Sequence, residues 1–181
     1  MTVKQHTINK ADQVDIDHYF MGLALEEAEK AFLKDEVPVG AVLVRDAEVV
    51  GRGCNGTEGD KDPTAHAEIV AIRAASGAIG SWRLSGSTLY VTLEPCTMCI
   101  GAAILARVDR LVFGAFDPKS GAVGSLYDIA SDERLNHRIK VLPGVRGPEC
   151  SELLKRFFKD LRGKRKYKAP SDNASALKDR A

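Results

Sequence analysis

The sequence predicts a single α/β domain with a mostly parallel sheet that begins with an antiparallel hairpin. Runs of β-branched and aromatic residues alternate with helical patterns of apolar residues along the chain. Near the start, two short strand patterns follow one another with only a short turn around Asp46 between them. The length of 181 residues, with 44% hydrophobic and 28% charged residues, is typical of one soluble domain with a sizeable core.

The first elements are a helix and the hairpin. Apolar residues recur at helical spacing at Phe20, Leu23, Ala24, Ala28 and Ala31. We therefore expect a helix from Asp17 that stops before Pro38. The hairpin strands are predicted at Ala41–Val44 and Glu48–Gly51.

The rest of the chain continues the alternation. A loop, "CNGTEGDKDP", leads to a helix in "DPTAHAEIVAIRAA", capped by Asp62 or Thr64. The strand "STLYVTLE" ends at a proline, and the short helix "CTMCIGAAILA" and the strand "RLVFGAF" follow. After the glycine-rich loop "DPKSGAVGSL" we expect a short helical piece and a last strand, "HRIKVLP". The closing helix shows one apolar face from Cys150 to Leu161, at steps of three and four.

Composition excludes several classes of protein. The longest apolar stretches, "VPVGAVLV" and "CIGAAILA", are far shorter than the roughly 20 residues of a membrane span. The first residues contain no apolar segment of the secretory type, so we expect no membrane association and a cytoplasmic location. The usual glycine-rich phosphate-binding motifs are absent. We expect a flexible segment at residues 1–16, the domain at 17–162 and a basic, disordered tail at 163–181.

Three residues form a predicted metal site. Cys96 and Cys99 stand three apart at the start of a helix, so both side chains project from one face of its first turn. The positive end of that helix favours the thiolate forms that bind metals. His66 lies thirty residues upstream, also where a helix starts. Two helices that begin at one edge of a sheet can bring the three side chains together, and one imidazole with two thiolates is a ligand set for zinc.

The number of ligands separates a catalytic site from a structural one. Three protein ligands leave a fourth position for water, whereas structural zinc sites normally have four. A fourth ligand from Cys54, Cys150 or His137 stays open at this point. Glu68, two residues beyond His66, favours catalysis because its carboxylate could exchange protons with that water. A zinc-stabilised binding module would instead have a closed site and no use for Glu68.

The pattern His-x-Glu followed by Pro-Cys-x-x-Cys is the signature of zinc-dependent nucleobase deaminases. From about His18 to about Arg162, the chain also resembles the bacterial tRNA-specific adenosine deaminases. The resemblance lies in these stretches: "DEVPVGAVLV", "CN", "DPTAHAEI", "TLEPCTMC", "FGAFDPKSGAVGSL" and "NHR". It implies the cytidine deaminase-like fold, three α/β/α layers around a mixed five-stranded sheet.

The resemblance also implies a reaction and a set of residues. The family converts the wobble adenosine of a tRNA anticodon, in bacteria chiefly an arginine tRNA, to inosine, and it is homodimeric. One zinc per subunit, on His66, Cys96 and Cys99, lowers the pKa of water, and Glu68 shuttles protons. The apolar wall of Ile69, Val39 and Leu93 would raise the pKa of Glu68. The Cys96 N–H would steady the developing oxyanion. The substrate would contact Asn55, Val39, Leu93, Pro95, Asp117 and Lys119.

The basic C-terminal end suggests contact with RNA phosphates. Its cationic residues are Lys155, Arg156, Lys159, Arg162, Lys164, Arg165 and Lys166. The nearest alternative function is a deaminase of cytidine, deoxycytidylate or guanine that uses the same zinc site. The basic end and the motifs outside the zinc site favour a tRNA substrate.

Overall fold

The computed structural model describes residues 10–167, with side chains placed from residue 11 to 164. Five strands form one mixed sheet in the order β2-β1-β3-β4-β5. The strands are β1 (Gly40–Arg45), β2 (Glu48–Cys54), β3 (Ser87–Leu93), β4 (Arg110–Ala115) and β5 (Lys140–Pro143). β1 is antiparallel to both β2 and β3, whereas β3, β4 and β5 are parallel. The predicted fold class is confirmed.

Helices cover both faces of the sheet. They are α1 (Lys10–Leu33), α2 (Thr57–Asp60), α3 (Ala67–Ile79), α4 (Thr97–Leu105) and α5 (Gly147–Tyr167). α1 packs on β1 and β3 and α5 on β4, while α3 packs on β2 and β1 and contacts α4. Alternate residues of β3 therefore enter different cores: Leu89 and Val91 face the α3–α4 side, and Tyr90 faces the α1–α5 side. No helix in the described residues is long and apolar enough to span a membrane.

α1 begins at Lys10, seven residues before the predicted start, and α5 continues to Tyr167. The boundaries expected at residues 16 and 162 therefore both fall inside helices. One contact of the early turns joins the Gln13 amide to Asp17, with Nε2 donating to Oδ1 at 3.1 Å. The flexibility predicted for residues 1–9 and 168–181 lies outside the described residues.

Two further predictions were wrong. The segment after the glycine-rich loop is not helical, because side chains there satisfy turns instead of a helix. Asp128 accepts from the Ser131 hydroxyl at 2.6 Å, and Asp132 Oδ1 accepts from the Arg134 N–H at 3.0 Å. Conversely, the loop before α3 contains the one-turn helix α2, which the sequence patterns did not indicate.

Candidate active site

His66 is placed by the close packing of α3 on β2. It is the N-cap of α3, with φ −79° and ψ 149°, so the helix starts at Ala67 and later than the caps predicted at Asp62 or Thr64. Asp62 instead forms a turn with Thr64, accepting from its N–H at 2.8 Å. The helix can approach the strand because Gly53 has no side chain: a Cβ there would lie 2.2 Å from the Ala67 carbonyl oxygen.

The two cysteines come to His66 from the start of α4, of which Cys96 is the N-cap. The His66 Nδ1 atom lies 3.8 Å from the Cys96 sulfur and 3.5 Å from the Cys99 sulfur. A tetrahedral zinc with bonds of about 2.3 Å to sulfur and 2.0 Å to nitrogen holds such atoms about 3.5 Å apart. The three ligand atoms all lie within 4.8 Å of one another, so the geometry fits zinc.

The protons of this cluster are shared among its members. A hydrogen bond from Cys99, opposed by burial and aided by His66, lowers the pKa of Cys96 to about 4. The hydrogen bond to Cys96 and burial raise the pKa of Cys99. A hydrogen bond with Cys96 also raises the pKa of His66. Metal ligands bind in their deprotonated forms, so a metal ion would displace the protons that the thiols and the coordinating imidazole nitrogen still carry.

No fourth protein ligand joins the cluster in the described part of the chain, where the metal-competent group consists of His66, Cys96 and Cys99. Cys150 is buried in the other core, on the α1–α5 side of the sheet. His137 uses its Nε2 atom in a 2.7 Å contact with the Val108 carbonyl. The three-ligand set leaves a coordination position for water, as in catalytic zinc sites.

Three buried carboxylates line the adjacent pocket, and their surroundings differ. Glu68, in the first turn of α3, is 4% exposed, and desolvation by burial raises its pKa to about 6. Glu36 accepts from the backbone N–H groups of Glu58 and Gly59, at 3.3 and 2.6 Å. Burial opposes the ionisation of Glu94, but hydrogen bonds from Ser125, Asp117 and Val123 keep its pKa low. A carboxyl whose pKa is raised toward neutrality can both accept and donate a proton, so Glu68 is the candidate proton carrier of this pocket.

Asn55 follows β2 and also lines this pocket. Its side-chain oxygen accepts a hydrogen bond from the Ala67 backbone N–H at 3.0 Å. The backbone N–H of Asn55 donates to the Val39 carbonyl at 3.1 Å. The first bond fixes which end of the amide is the oxygen. The NH₂ end is therefore the group that can donate to a ligand.

The pocket itself has a volume of about 280 Å³. The predicted residues that line it are Val39, Asn55, His66, Glu68, Leu93, Cys96 and Asp117. Pro95 and Lys119 are not among the lining residues: Pro95 is buried, and Lys119 lines the neighbouring groove. Sequence reasoning missed Glu36, Val37, Thr57, Glu58, Glu94 and Ser120. Glu36 and Glu94 stood in quoted motifs, "DEVPVGAVLV" and "TLEPCTMC", but nothing local indicated their burial.

The predicted cationic residues of α5 fall into two groups. Arg156 pairs with Glu29 at 2.8 Å, and Lys164 pairs with Asp35 at 2.5 Å, so both are tied to α1 and its end. Lys155 and Arg162 instead line a groove of about 360 Å³ together with Lys119, Leu154 and the half-exposed Phe158. The side chains of Arg165 and Lys166 lie outside the described residues, and Lys159 is exposed.

Comparison with known proteins identifies relatives of this arrangement. The family model of the cytidine and deoxycytidylate deaminase zinc-binding region matches residues 14–115. The tRNA-specific adenosine deaminase of Bacillus subtilis (strain 168) is 50% identical over 150 residues, which cover 83% of this chain and 93% of that protein. The tRNA-specific adenosine deaminase of Haemophilus influenzae is 50% identical over 153 residues, covering 84% and 88%.

Solved structures share the fold. One, from structural work on A-to-I editing by tRNA:A34 deaminases at the wobble position, superposes with a TM-score of 0.72 and 50% identity. It covers 75% of this chain and 98% of that one. A guanine deaminase from Nitrosomonas europaea superposes with a TM-score of 0.65 and 25% identity, covering 77% and 83%.

Proposed function

Since the chain belongs to the tRNA-specific adenosine deaminases, within the cytidine and deoxycytidylate deaminase zinc-binding family, we propose that its pocket converts the wobble adenosine of a tRNA to inosine. The proposal rests on how the carboxyl, the metal ligands and the pocket are arranged. A buried carboxyl with a pKa of about 6 stands beside a three-ligand metal cluster, at the bottom of a pocket that an oriented amide also lines.

His66, Cys96 and Cys99 would hold one zinc ion per chain. When bound, zinc supplies the positive charge that lowers the pKa of water in the fourth position. The protein contributes rigidity, because two of the ligands are helix N-caps and Cys99 is fully buried in the first turn of α4. Zinc content per chain, measured by elemental analysis, tests this stoichiometry.

Glu68 carries protons in the proposed reaction. It takes a proton from water and delivers it to N1 of the adenine ring while the resulting hydroxide forms a bond to C6. It then takes the proton of the new C6 hydroxyl and delivers it to the amino group, whose bond to C6 breaks as ammonia leaves. Adenosine and water thus give inosine and ammonia. The Cys96 N–H donates to no backbone carbonyl in the described part of the chain, so it can donate to the oxygen that develops at C6.

Asn55 and the apolar wall orient the base. The Asn55 NH₂ group donates to a ring nitrogen of the flipped adenine, because its oxygen is already used by the Ala67 N–H. Val39 and Leu93 line the pocket as apolar surfaces against which a planar base can pack.

The groove of Lys119, Lys155 and Arg162 is the proposed contact for the RNA backbone. It lies beside the pocket, since Lys119 belongs to the same loop as the pocket residues Asp117 and Ser120. Its cations have no ion-pair partner within the described residues, unlike Arg156 and Lys164. Phosphate contacts of this kind give affinity that falls as salt rises.

Matched double variants test the groove. The double variant Lys155→Ala, Arg162→Ala should raise the KM for tRNA. In a plot of the logarithm of the binding constant against the logarithm of the salt concentration, its slope should be less negative by about 0.7 per cation removed. Arg156→Ala with Lys164→Ala removes the same charge from ion-paired positions and should have a smaller effect on that slope. Equal slopes for the two double variants would remove the groove from the proposal.

We propose an arginine tRNA as the main substrate, a homodimer and a cytoplasmic location. Three large apolar side chains near the pocket loop are exposed and could pack in a subunit interface: Phe116, Leu126 and Tyr127. Sedimentation equilibrium tests the dimer, and a monomer at micromolar concentration would contradict it.

The decisive experiment is incubation with total tRNA, followed by sequencing for inosine at the first anticodon position. Parallel incubations with cytidine, deoxycytidylate and guanine test the related chemistries. The incubation with guanine is included because a guanine deaminase shares this fold. Inosine in tRNA with no product from the free bases and nucleotides is expected. Product from a small substrate alone would overturn the proposal.

A further inference from the structure

Glu94 is a buried carboxylate two residues before the ligand Cys96, and the proton transfers described above do not use it. It is 2% exposed. Its Oε1 atom accepts from the N–H groups of Val123 and Ser125, both at 3.0 Å. Its Oε2 atom accepts from the Asp117 N–H at 3.0 Å and from the Ser125 hydroxyl. All of these donors belong to the loop between β4 and β5.

This loop, residues Asp117–Ser125, forms part of the pocket wall. It contributes Asp117 and Ser120 to the lining. Its middle is fixed to the cysteine-bearing segment, since the Ala122 N–H donates to the Pro95 carbonyl at 2.9 Å. Glu94 bonds the loop at both ends, so one side chain determines where the whole wall lies.

The loop also approaches Glu94 closely in its middle. A Cβ at Gly121 would lie 2.4 Å from both the carboxyl carbon and the Oε2 atom of Glu94. No side chain fits between the loop and the carboxylate, so the two surfaces are complementary independently of the hydrogen bonds.

We propose that Glu94 is a positioning residue, which fixes the Asp117–Ser125 loop as a wall of the pocket and thereby orients the nucleotide that enters. The effect on substrate rests on the proposed deamination of tRNA, whereas the effect on the loop does not. Only a carboxylate suits the position, because every group that faces it is a donor. In Glu94→Gln, the amide oxygen can serve Val123 and Ser125, and the Ser125 hydroxyl can turn to accept from the NH₂ group. The Asp117 N–H cannot turn, so it loses its acceptor.

The test compares Glu94→Gln with the zinc-loaded wild-type protein by amide hydrogen exchange and by kinetics on an anticodon stem-loop. Loss of one bond to a charged acceptor should speed exchange at the Asp117 amide about tenfold. The KM should rise by about tenfold, while kcat per bound zinc stays within about threefold. A general loss of folded protein would lower the active fraction without this rise in KM.

Gly121→Ala approaches the same contact from the loop side. Its Cβ should push the loop off Glu94 and give the same rise in KM and in exchange at Asp117. The added Cβ would also lie 2.6 Å from the Asp117 carbonyl oxygen. The double variant should still be less impaired than the two single effects added, because the two changes share the contact with Glu94. Ser131→Ala is the control: this exposed hydroxyl bonds only to Asp128, further along the same connection, so KM and exchange should match the wild type.

An unchanged KM or unchanged exchange at Asp117 in Glu94→Gln would overturn the inference. If Glu94→Gln does not fold, the same two measurements on Gly121→Ala decide. If the wild-type protein forms no inosine in RNA, the proposed function fails. The exchange measurement at Asp117 then still tests whether Glu94 fixes the loop.

Discussion

At the scale of single residues, the site is defined by how similar groups differ in their surroundings. Glu36, Glu68 and Glu94 are the same residue type, are all nearly inaccessible to solvent and line one pocket. Two of them accept backbone N–H groups, whereas burial raises the pKa of Glu68 to about 6. Hydrogen bonds to the charged form favour ionisation and burial opposes it, and this raised pKa is the reason for proposing Glu68 as the proton carrier.

Glu68→Gln should therefore retain zinc and fold while losing activity. The change preserves size and removes only the capacity to carry protons, so we expect a loss of about 10²–10⁴-fold in kcat. Inosine formation under single-turnover conditions measures it, with zinc content as the control. A variant within threefold of the wild type would show that another group is the base.

His66→Ala and Cys99→Ser should each lose zinc. Either change leaves two protein ligands, and the stability that metal binding contributes to folding is lost with the metal. Elemental analysis and thermal unfolding are the measurements. Cys54→Ser, at a half-buried cysteine outside the cluster, is the matched control and should keep full zinc. Full occupancy in Cys99→Ser would remove that residue from the site.

At the scale of elements, the site depends on where two helices begin. α3 and α4 start with ligands at their N-caps, and both lie on the same face of the sheet. α3 reaches its position because β2 presents Gly51 and Gly53 to it, where Cβ atoms would lie 2.3 and 2.2 Å from helix carbonyl oxygens. The distance between β2 and α3 therefore helps to set the position of His66 relative to the two cysteines.

Gly53→Ala should push α3 away from β2. Overpacking of this kind costs roughly 1–3 kcal/mol of stability, and because Ala67 adjoins His66, zinc should be released at lower chelator concentration. Gly77→Ala is the matched control on the same helix. A Cβ there meets nothing within 4 Å, so it should raise stability by about 0.5–1 kcal/mol. Native zinc retention in Gly53→Ala would contradict this account of the packing.

At the scale of the whole molecule, a buried network ties the first helix to the sheet. Asp17 of α1 accepts from the Tyr90 hydroxyl at 2.8 Å and pairs with both terminal nitrogens of Arg110, at 2.7 and 2.6 Å. Burial alone would raise the pKa of Asp17, but the hydrogen bonds from Arg110 and Tyr90 keep it below 3.8. These contacts join residues that are 73 and 93 positions apart in the chain.

Asp17→Asn should lower the free energy of unfolding at pH 7 by about 2–3 kcal/mol, because Arg110 loses its charged partner. A lowered pKa means that this contribution is complete above the unfolded value of 3.8 and disappears as the pH falls through the folded value. The difference between wild type and variant should therefore shrink below pH 3.8.

Urea unfolding at several pH values measures this difference. Glu133→Gln is the control, because its pair with Arg138 is largely exposed and should contribute less than about 1 kcal/mol at any pH. A difference between Asp17→Asn and the wild type that is as large at pH 3.3 as at pH 7 would contradict the role of the ionised pair.

Local patterns of residue types were enough to predict the elements and the metal ligands of the site. Runs of β-branched and aromatic residues predicted the five strands, and the helical spacing of apolar residues predicted the main helices, because buried strands and buried helix faces impose those patterns. His-x-Glu and Cys-x-x-Cys predicted the metal cluster, because short spacings at helix starts fix the directions of side chains. The wrong predictions lie at the start of α1 and in the turns after Leu126. In both places the residues carry no clear apolar pattern, so helix, turn and irregular structure are not distinguished by local sequence.

The three-dimensional structure was needed to show which groups from distant parts of the chain share the same surroundings. It separated Lys155 and Arg162 from the ion-paired Arg156 and Lys164, although all four read alike in sequence. It likewise showed that Glu94 is buried against a loop that begins 23 residues later. Burial and charge pairing depend on contacts between segments far apart in the chain, and a local pattern of residue types does not contain them.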